Sequence, residues 1–74
     1  MCIKHTEKNY IQNQIKQIRI IQGLTLEDVS KRTGLSVGYI CHLEKGSRNN
    51  PSYNAMVKIA KALNKEIGEV FKIV

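Results

Sequence analysis

The sequence predicts an all-α domain built from five short helices. Three observations support this fold class: apolar residues recur every three or four positions, glycines interrupt the apolar runs, and Ser or Thr precedes several of them. The chain has 74 residues, with three tyrosines, one phenylalanine and no tryptophan, so we expect a single core of aliphatic side chains. We assign residues 1–9 to a flexible N-terminal arm and residues 10–74 to the domain.

The first helix is predicted to begin at Ile11, because the apolar residues from this point have helical spacing. The stripe consists of Ile11, Ile15, Ile18 and Ile21. Gly23 then ends this helix. Thr25 is a suitable N-cap for a second helix over residues 26–33, and Asp28 has the spacing of a capping box.

The remaining three helices are predicted in the same way. Ser36 can cap a third helix that ends near Glu44, and residues 45–51 are rich in turn-forming residues, so a solvated loop is expected there. Pro51 and Ser52 open a fourth helix, and a short fifth helix is expected around residues 66–71. The side chains expected to point inward from these helices are Ile40, Leu43, Met56, Ile59, Ala60, Leu63, Ile67, Val70 and Phe71.

The second and third predicted helices flank Gly34, and each is too short to be stable alone in water. A turn of three or four residues that contains a glycine lets two helices cross steeply and share one core. Gly34 can adopt a positive φ at little cost, and Ser30 is small enough for a close crossing. This arrangement is a helix-turn-helix, in which the beginning and outer side of the third helix can enter the major groove of DNA.

The chain is strongly basic, with 12 Lys and Arg against six Asp and Glu and a formal net charge of +6. Such a charge suits a polyanionic partner, either nucleic acid or an acidic membrane surface. A membrane-surface helix would place basic residues beside bulky apolar anchors, but here the basic residues are scattered over all the helices. No apolar run approaches the roughly 18 residues of a spanning helix, and the first ten residues do not resemble a signal peptide. A cytoplasmic location is therefore expected.

Cysteine and histidine provide no convincing metal site or catalytic site. The residues with side chains that zinc could use are Cys2, His5, Cys41 and His42. Adjacent residues on a helix diverge by about 100°, and the other pair lies in the predicted arm, so we expect no metal and reduced thiols. The sequence also contains no Ser, His and Asp constellation, no glycine-rich phosphate loop and no paired inward carboxylates. We therefore expect neither enzymatic activity nor a cofactor.

Four stretches of the chain have a distinctive pattern, namely IRIIQGLTLEDV, TGLS, YICHLEKG and NPSYNAMVKIAKALN. The last of them is followed by the short apolar helix predicted above. Together they resemble the lambda-repressor, Cro and XRE family of bacterial and phage regulators, over about residues 11–71. The resemblance implies a five-helix lambda-repressor-like fold and a transcriptional regulator that binds double-stranded DNA. It also implies that Arg19 on the first helix pairs with Glu44 at the end of the third, which ties the reading helix to the scaffold.

The resemblance places six residues of the third helix near the bases, namely Ser36, Val37, Gly38, Tyr39, Cys41 and His42. Ser36 caps the helix and its amide suits a phosphate, while His42 is expected to contact a base edge or a phosphate. Val37 and Gly38 depart from the polar family pattern. Val37 could contact a thymine methyl, and Gly38 could let the helix backbone come close to the DNA. The alternative is that both are ordinary surface residues. Tyr39 is either a phosphate donor or packed on the loop, and Cys41 is expected to be a small surface residue.

The following loop is implied to run along the sugar-phosphate backbone, and its contacts would be Lys45, Ser47, Arg48, Asn49 and Asn50. The alternative is an ordinary solvated turn. Lys31 and Arg32 could contact the DNA backbone or balance the dipole of the second helix, and we favour the dipole. Basic residues of the arm could follow a groove, but a disordered tail is the preferred interpretation.

These inferences lead us to expect a small homodimeric repressor that reads an inverted-repeat operator. Because family members often pair through the fifth helix, the resemblance implies a dimer patch formed by Val70, Phe71, Ile73 and Val74. The alternative hypothesis is a protein-interaction module, such as an antitoxin or adaptor, that uses the same fold. Salt-sensitive DNA binding would separate the two.

Overall fold

Five α-helices and one pair of short strands make up the described part of the chain, which in this computed structural model is residues 11–46 and 51–73, with Ile73 described by its backbone alone. The predicted arm at residues 1–9 lies outside these ranges. In chain order the elements are β1 (Ile11–Asn13), α1 (Ile15–Ile21), α2 (Leu26–Thr33), α3 (Val37–Lys45), α4 (Tyr53–Ala62), α5 (Ile67–Val70) and β2 (Phe71–Ile73).

The five-helix fold predicted from the sequence is confirmed, and its core is aliphatic. Side chains from all five helices meet in one cluster, which Phe71 of β2 completes. Its members are Ile15, Val29, Ile40, Leu43, Ile59, Ala60, Leu63, Val70 and Phe71. Burying a side chain of Ile or Leu size contributes roughly 1.5 to 3 kcal/mol, so this cluster supplies the main driving force for folding.

The second helix begins where the sequence predicted. The Asp28 amide donates to Thr25 Oγ1 at 3.0 Å, and the Thr25 amide donates to Asp28 Oδ2 at 2.8 Å. This reciprocal capping box satisfies two amides that the helix itself leaves without acceptors. These hydrogen bonds to Thr25 lower the pKa of the Asp28 carboxyl, because they favour its charged form.

The turn between α2 and α3 is fixed by side chains of α2. Gly34 has a φ of +77°, a conformation that residues with a Cβ rarely adopt. Ser30 Oγ donates to the Leu35 carbonyl at 2.6 Å, and the Leu35 amide donates to Thr33 Oγ1 at 3.1 Å. Ser30 is therefore more than a small residue at a close crossing, because it also holds the chain that leads into α3.

The prediction that α1 begins at Ile11 is wrong. Residues 11–13 form β1, which pairs antiparallel with β2, and Gln12 lies opposite Lys72. The Gln14 amide continues this pairing by donating to the Val70 carbonyl at 2.9 Å, so the helix begins only at Ile15. The apolar spacing from Ile11 could not reveal a partner strand about 60 residues away, because the pairing depends on tertiary structure.

Ile21 was also predicted to face the core, but its side chain is 83% exposed. At about 100° per residue, Ile21 lies about 120° around α1 from the buried Ile15. Ile18 lies between them and is half-buried. Because α1 has only seven residues, its inward face is narrower than the four-isoleucine stripe suggested.

Gln22, just after α1, and Arg32 of α2 bind two carbonyls at the C-terminal end of α4. Gln22 Nε2 donates to the Leu63 carbonyl at 2.7 Å, and Arg32 Nη1 donates to the Ala62 carbonyl at 3.0 Å. Arg32 therefore connects α2 to the end of α4, whereas the sequence interpretation had it balance the dipole of its own helix. Both contacts supply partners for carbonyls that a helix terminus leaves unsatisfied.

Within residues 11–46 and 51–73, none of the helices is both long enough and apolar enough to cross a membrane.

The depressed pKa of Asp28 predicts a specific dependence of stability on acid. A carboxyl whose folded pKa lies below its ordinary value of 3.8 stabilises the fold above that value, and this contribution is lost as the pH falls through the folded pKa. We therefore expect Asp28→Asn to lose less stability than the wild type between about pH 6 and about pH 2. Urea unfolding at a series of pH values measures the difference. Parallel pH profiles for the two chains would contradict the capping role of the charged carboxylate.

Candidate nucleic-acid interface

Helix α3 is closed at both ends by its own sequence. The Tyr39 amide donates to Ser36 Oγ at 3.0 Å, which makes Ser36 the side-chain N-cap that the sequence predicted. At the other end Gly46 has a φ of +83°, and its amide donates to the Leu43 carbonyl at 3.2 Å. The helix therefore has defined ends despite its length of only nine residues.

An ion pair joins α3 to α1, and it is the pair predicted between Arg19 and Glu44. Arg19 Nε donates to Glu44 Oε2 at 2.7 Å, and Arg19 Nη2 donates to Glu44 Oε1 at 3.1 Å. The two side chains are only 12% and 6% exposed, respectively. A two-pronged contact of this kind fixes the orientation of the helix as well as its distance from α1.

The third nitrogen of the Arg19 guanidinium also has a partner, because Nη1 donates to the Leu24 carbonyl at 3.0 Å. The hydrogen bond with Glu44 raises the pKa of Arg19, and this effect outweighs the opposing effect of burial. The guanidinium therefore remains charged wherever the protein is folded. One cation holds α1, the segment before α2 and the end of α3 together.

The opposite side of α3 is open to solvent. Ile40 and Leu43 are fully buried, whereas Gly38, His42 and Lys45 are exposed. The outward face is formed by Gly38, Cys41, His42 and Lys45, spaced by three, four and seven residues along one side of the helix. Cys41 is half-buried and the other three are exposed. This face is accessible to a macromolecule, and it carries a hydrogen-bonding ring and a cation.

The remaining predicted base-proximal residues lie at the start of the helix. Ser36 is exposed, while Val37 and Tyr39 are half-buried. Tyr39 packs against the core cluster, whereas the two predicted alternatives were a phosphate contact and packing on the loop. Ser36 and Tyr39 also line a shallow depression shared with Asn54 and Lys58 of α4. Sequence reasoning did not connect α4 with this end of α3, because only the tertiary fold brings the two together.

The predicted phosphate-contacting loop requires one correction. Lys45 is the last residue of α3 and not the first residue of a loop, because the helix continues until Gly46 supplies the left-handed C-cap. It therefore belongs to the outward face of the helix. The other members of this set lie outside the described residues, namely Ser47, Arg48, Asn49 and Asn50.

The predicted dimer patch also requires correction. Val70 is fully buried and Phe71 is only 6% exposed, because both pack in the core of the monomer. These two side chains are not available to a second copy. Ile73 is described only by its backbone, and Val74 lies outside the described residues.

No three His, Cys, Asp or Glu side chains within residues 11–46 and 51–73 are grouped so that they could hold a metal ion.

The burial of the Arg19 and Glu44 pair predicts a large effect when one partner is removed. Glu44→Ala leaves the guanidinium with a buried charge and no counter-ion, so we expect a loss of about 3 to 5 kcal/mol in the free energy of unfolding. Chemical denaturation measures this loss. The control is Glu27→Ala on α2, an exposed glutamate whose removal should change stability by less than about 0.5 kcal/mol. Equal effects of the two substitutions would show that the pair does not stabilise the fold.

The fold and this site can be compared with known proteins. A family model described as helix-turn-helix matches residues 15–70. An uncharacterized HTH-type transcriptional regulator of Methanocaldococcus jannaschii is 36% identical over 61 residues, which span 82% of this chain and 91% of that relative. A second such regulator, from Archaeoglobus fulgidus, is 36% identical over 61 residues and is matched over 84% of its length.

A solved structure supports the same assignment. The crystal structure of the restriction-modification controller protein C.AhdI from Aeromonas hydrophila is similar, with a TM-score of 0.71 and 33% sequence identity. The match covers 74% of this chain and 82% of the controller protein. The chain therefore belongs to the helix-turn-helix family of DNA-binding transcriptional regulators, of the lambda-repressor, Cro and XRE type.

Proposed function

We propose that this protein is a homodimeric repressor that reads an inverted-repeat operator through α3. The observation that carries the proposal is the two-sided character of this helix. Its inner side is fixed by buried Ile40 and Leu43 and by the Glu44 ion pair, while its outer side is open to solvent. A rigidly held helix with an accessible outer face has the form needed for insertion into a major groove.

His42 is the proposed base-reading residue. Its side chain is exposed in the middle of the outward face, and its ring nitrogens can donate to or accept from a base edge. Gly38 lies one turn earlier on the same face, and within the described residues a Cβ there would have no atom within 4 Å apart from the adjacent residues and the helix's own backbone. The helix backbone can therefore approach the bases closely at this point. Cys41 on the same face and Val37 beside it, both half-buried, are proposed to make apolar contacts.

Contacts to the DNA backbone are proposed on both sides of the reading face. Lys45 supplies a cation at the end of α3, and Ser36 supplies the capped N-terminus, where backbone amides suit a phosphate. Lys58 and Asn54 are exposed beside Ser36 and add a further cation and amide. The proposed loop contacts at residues 47–50 would extend the surface beyond Lys45. Such contacts set affinity and register without reading sequence.

A dimer is proposed because one copy of α3 reads little DNA. Nine residues at about 1.5 Å each span only about four base pairs, so two helices in successive major grooves double the sequence that is read. With Val70 and Phe71 buried, the contact between copies would use exposed side chains near α5, together with Ile73 and Val74. Glu69 and Lys72 are both exposed there. Their opposite charges suit a two-fold interface in which Glu69 of each copy meets Lys72 of the other.

The proposal also includes a cytoplasmic location, where the DNA is found, and a regulator without catalytic activity or a cofactor. Repression would follow from occupancy of the operator. The basic character of the chain, with its net charge of +6, favours DNA as the partner of the α3 surface.

Selection of bound duplexes from a random pool tests the proposed function. We expect a palindromic motif with half-sites about 34 to 36 Å apart, and a complex containing two protein copies per duplex by analytical ultracentrifugation. No enrichment at low ionic strength would refute DNA reading and would favour the alternative, a protein-interaction module. Enrichment of a single half-site by a monomer would refute the dimer alone.

Two substitutions on the outward face are expected to have different effects on DNA binding. His42→Ala should change the preferred bases while leaving the salt dependence of affinity nearly unchanged. Lys45→Ala should weaken binding to all sequences and reduce the slope of log affinity against log salt by about 1, because one phosphate contact is lost. Fluorescence anisotropy at several salt concentrations measures both effects. The same salt slope for Lys45→Ala and wild type would remove Lys45 from the phosphate contacts.

A further inference from the structure

We propose that Asn13 is a positioning residue for the DNA-reading helix, a role that rests on the proposed function. Asn13 ends β1, thirty residues before Leu43 on α3, and its side chain joins the two elements. Asn13 Nδ2 donates to the Leu43 carbonyl at 2.9 Å in a partly buried position. Leu43 itself is on the buried side of α3, away from the exposed His42.

Both polar atoms of the Asn13 side chain, Nδ2 and Oδ1, form hydrogen bonds. Its Oδ1 accepts a hydrogen bond from the Ile15 amide at 3.1 Å, at the start of α1. The amide plane is therefore fixed locally, and Nδ2 is directed at α3. Side-chain hydrogen bonds to an amide two residues further along are a common use of Asn at the start of a turn or helix.

The acceptor lies in the last turn of α3, where carbonyls have no partner within the helix. Leu43 is fully buried, and its carbonyl also accepts a hydrogen bond from the Gly46 amide at 3.2 Å. The next residue is Glu44, whose carboxylate is bound by Arg19. Two neighbouring residues of α3 are therefore tied to two different elements, which restricts both rotation and sliding of the helix.

The strand that carries Asn13 is itself anchored. β1 pairs with β2, and the Gln14 amide donates to the Val70 carbonyl at 2.9 Å. The small sheet thus gives Asn13 a fixed base from which to hold α3. Functional groups must be held to within about 0.5 Å and 10 to 20° to act, so loss of this contact should reduce base discrimination more than general attraction to DNA.

The test compares two matched substitutions, Asn13→Asp and Gln22→Glu. Each replaces an amide by a carboxylate, lowers the net charge by one and removes a donor to a carbonyl at the C-terminal end of a helix. Asn13→Asp keeps the acceptor for the Ile15 amide and affects α3, whereas Gln22→Glu affects the end of α4. The probes are a duplex selected from a random pool by the wild-type chain and a scrambled duplex of the same composition.

We expect Asn13→Asp to lower the ratio of selected to scrambled affinity by about tenfold, and Gln22→Glu to change it by less than about twofold. Hydrogen exchange without DNA should show faster exchange of amides in the last turn of α3 for Asn13→Asp only. The uncharged pair Asn13→Ser and Gln22→Ser repeats the comparison if the introduced carboxylates impair folding. All chains are compared below their unfolding transitions.

Equal affinity ratios for the Asn13 and Gln22 variants would overturn the proposal, even if α3 exchanged faster. Unchanged exchange in α3 would overturn it as well, because the contact would then not hold the helix. Equal binding of both duplexes by the wild-type chain would instead refute the proposed function and, with it, the role of Asn13 in DNA reading. The failures of the two proposals are therefore distinguishable.

Discussion

The ion pair between Arg19 and Glu44 is the interaction on which the arrangement of the helices depends. Burial of two charges is unfavourable unless geometry and hydrogen bonding compensate. Here both carboxylate oxygens are bound, and the guanidinium also donates to the Leu24 carbonyl. The pair therefore specifies how three segments meet, which a core of interchangeable aliphatic side chains would do less strictly. The outer face of α3 takes no part in this packing and is open to solvent.

Local features of the fold were predictable because their causes lie within a few residues of each other. The capping box of Thr25 and Asp28, the cap at Ser36 and the positive φ of Gly34 each depend on a short stretch of backbone. The pairing of Ile11 with the C-terminal strand does not depend on a short stretch of backbone. It depends on residues at the other end of the chain, so helical spacing alone extended α1 too far toward the N-terminus.

Some features of the candidate site were likewise predictable from the sequence, and others were not. The exposure of Gly38 and His42 follows from helical spacing once the inward positions of α3 are known. Nothing in the sequence indicates the contact of Asn13 with α3, because a polar residue in a predicted helix is expected to face solvent. The burial of Val70 was predicted, but its use as a dimer contact conflicted with that burial. Tertiary structure decides between these two uses of an apolar residue.

Gly38 shows how the demands of folding and of recognition differ in this helix. A glycine in a helix destabilises it by roughly 0.5 to 1 kcal/mol relative to alanine, and within the described residues a Cβ at Gly38 would meet no atom outside the helix backbone and the adjacent residues. Intramolecular packing thus gives no reason to retain a residue without a Cβ. The close approach of DNA in the proposed function would provide such a reason. Under the proposed function, a larger residue at this one position would change which promoter the protein reads, and a single Cβ there would meet no neighbouring side chain of the described residues.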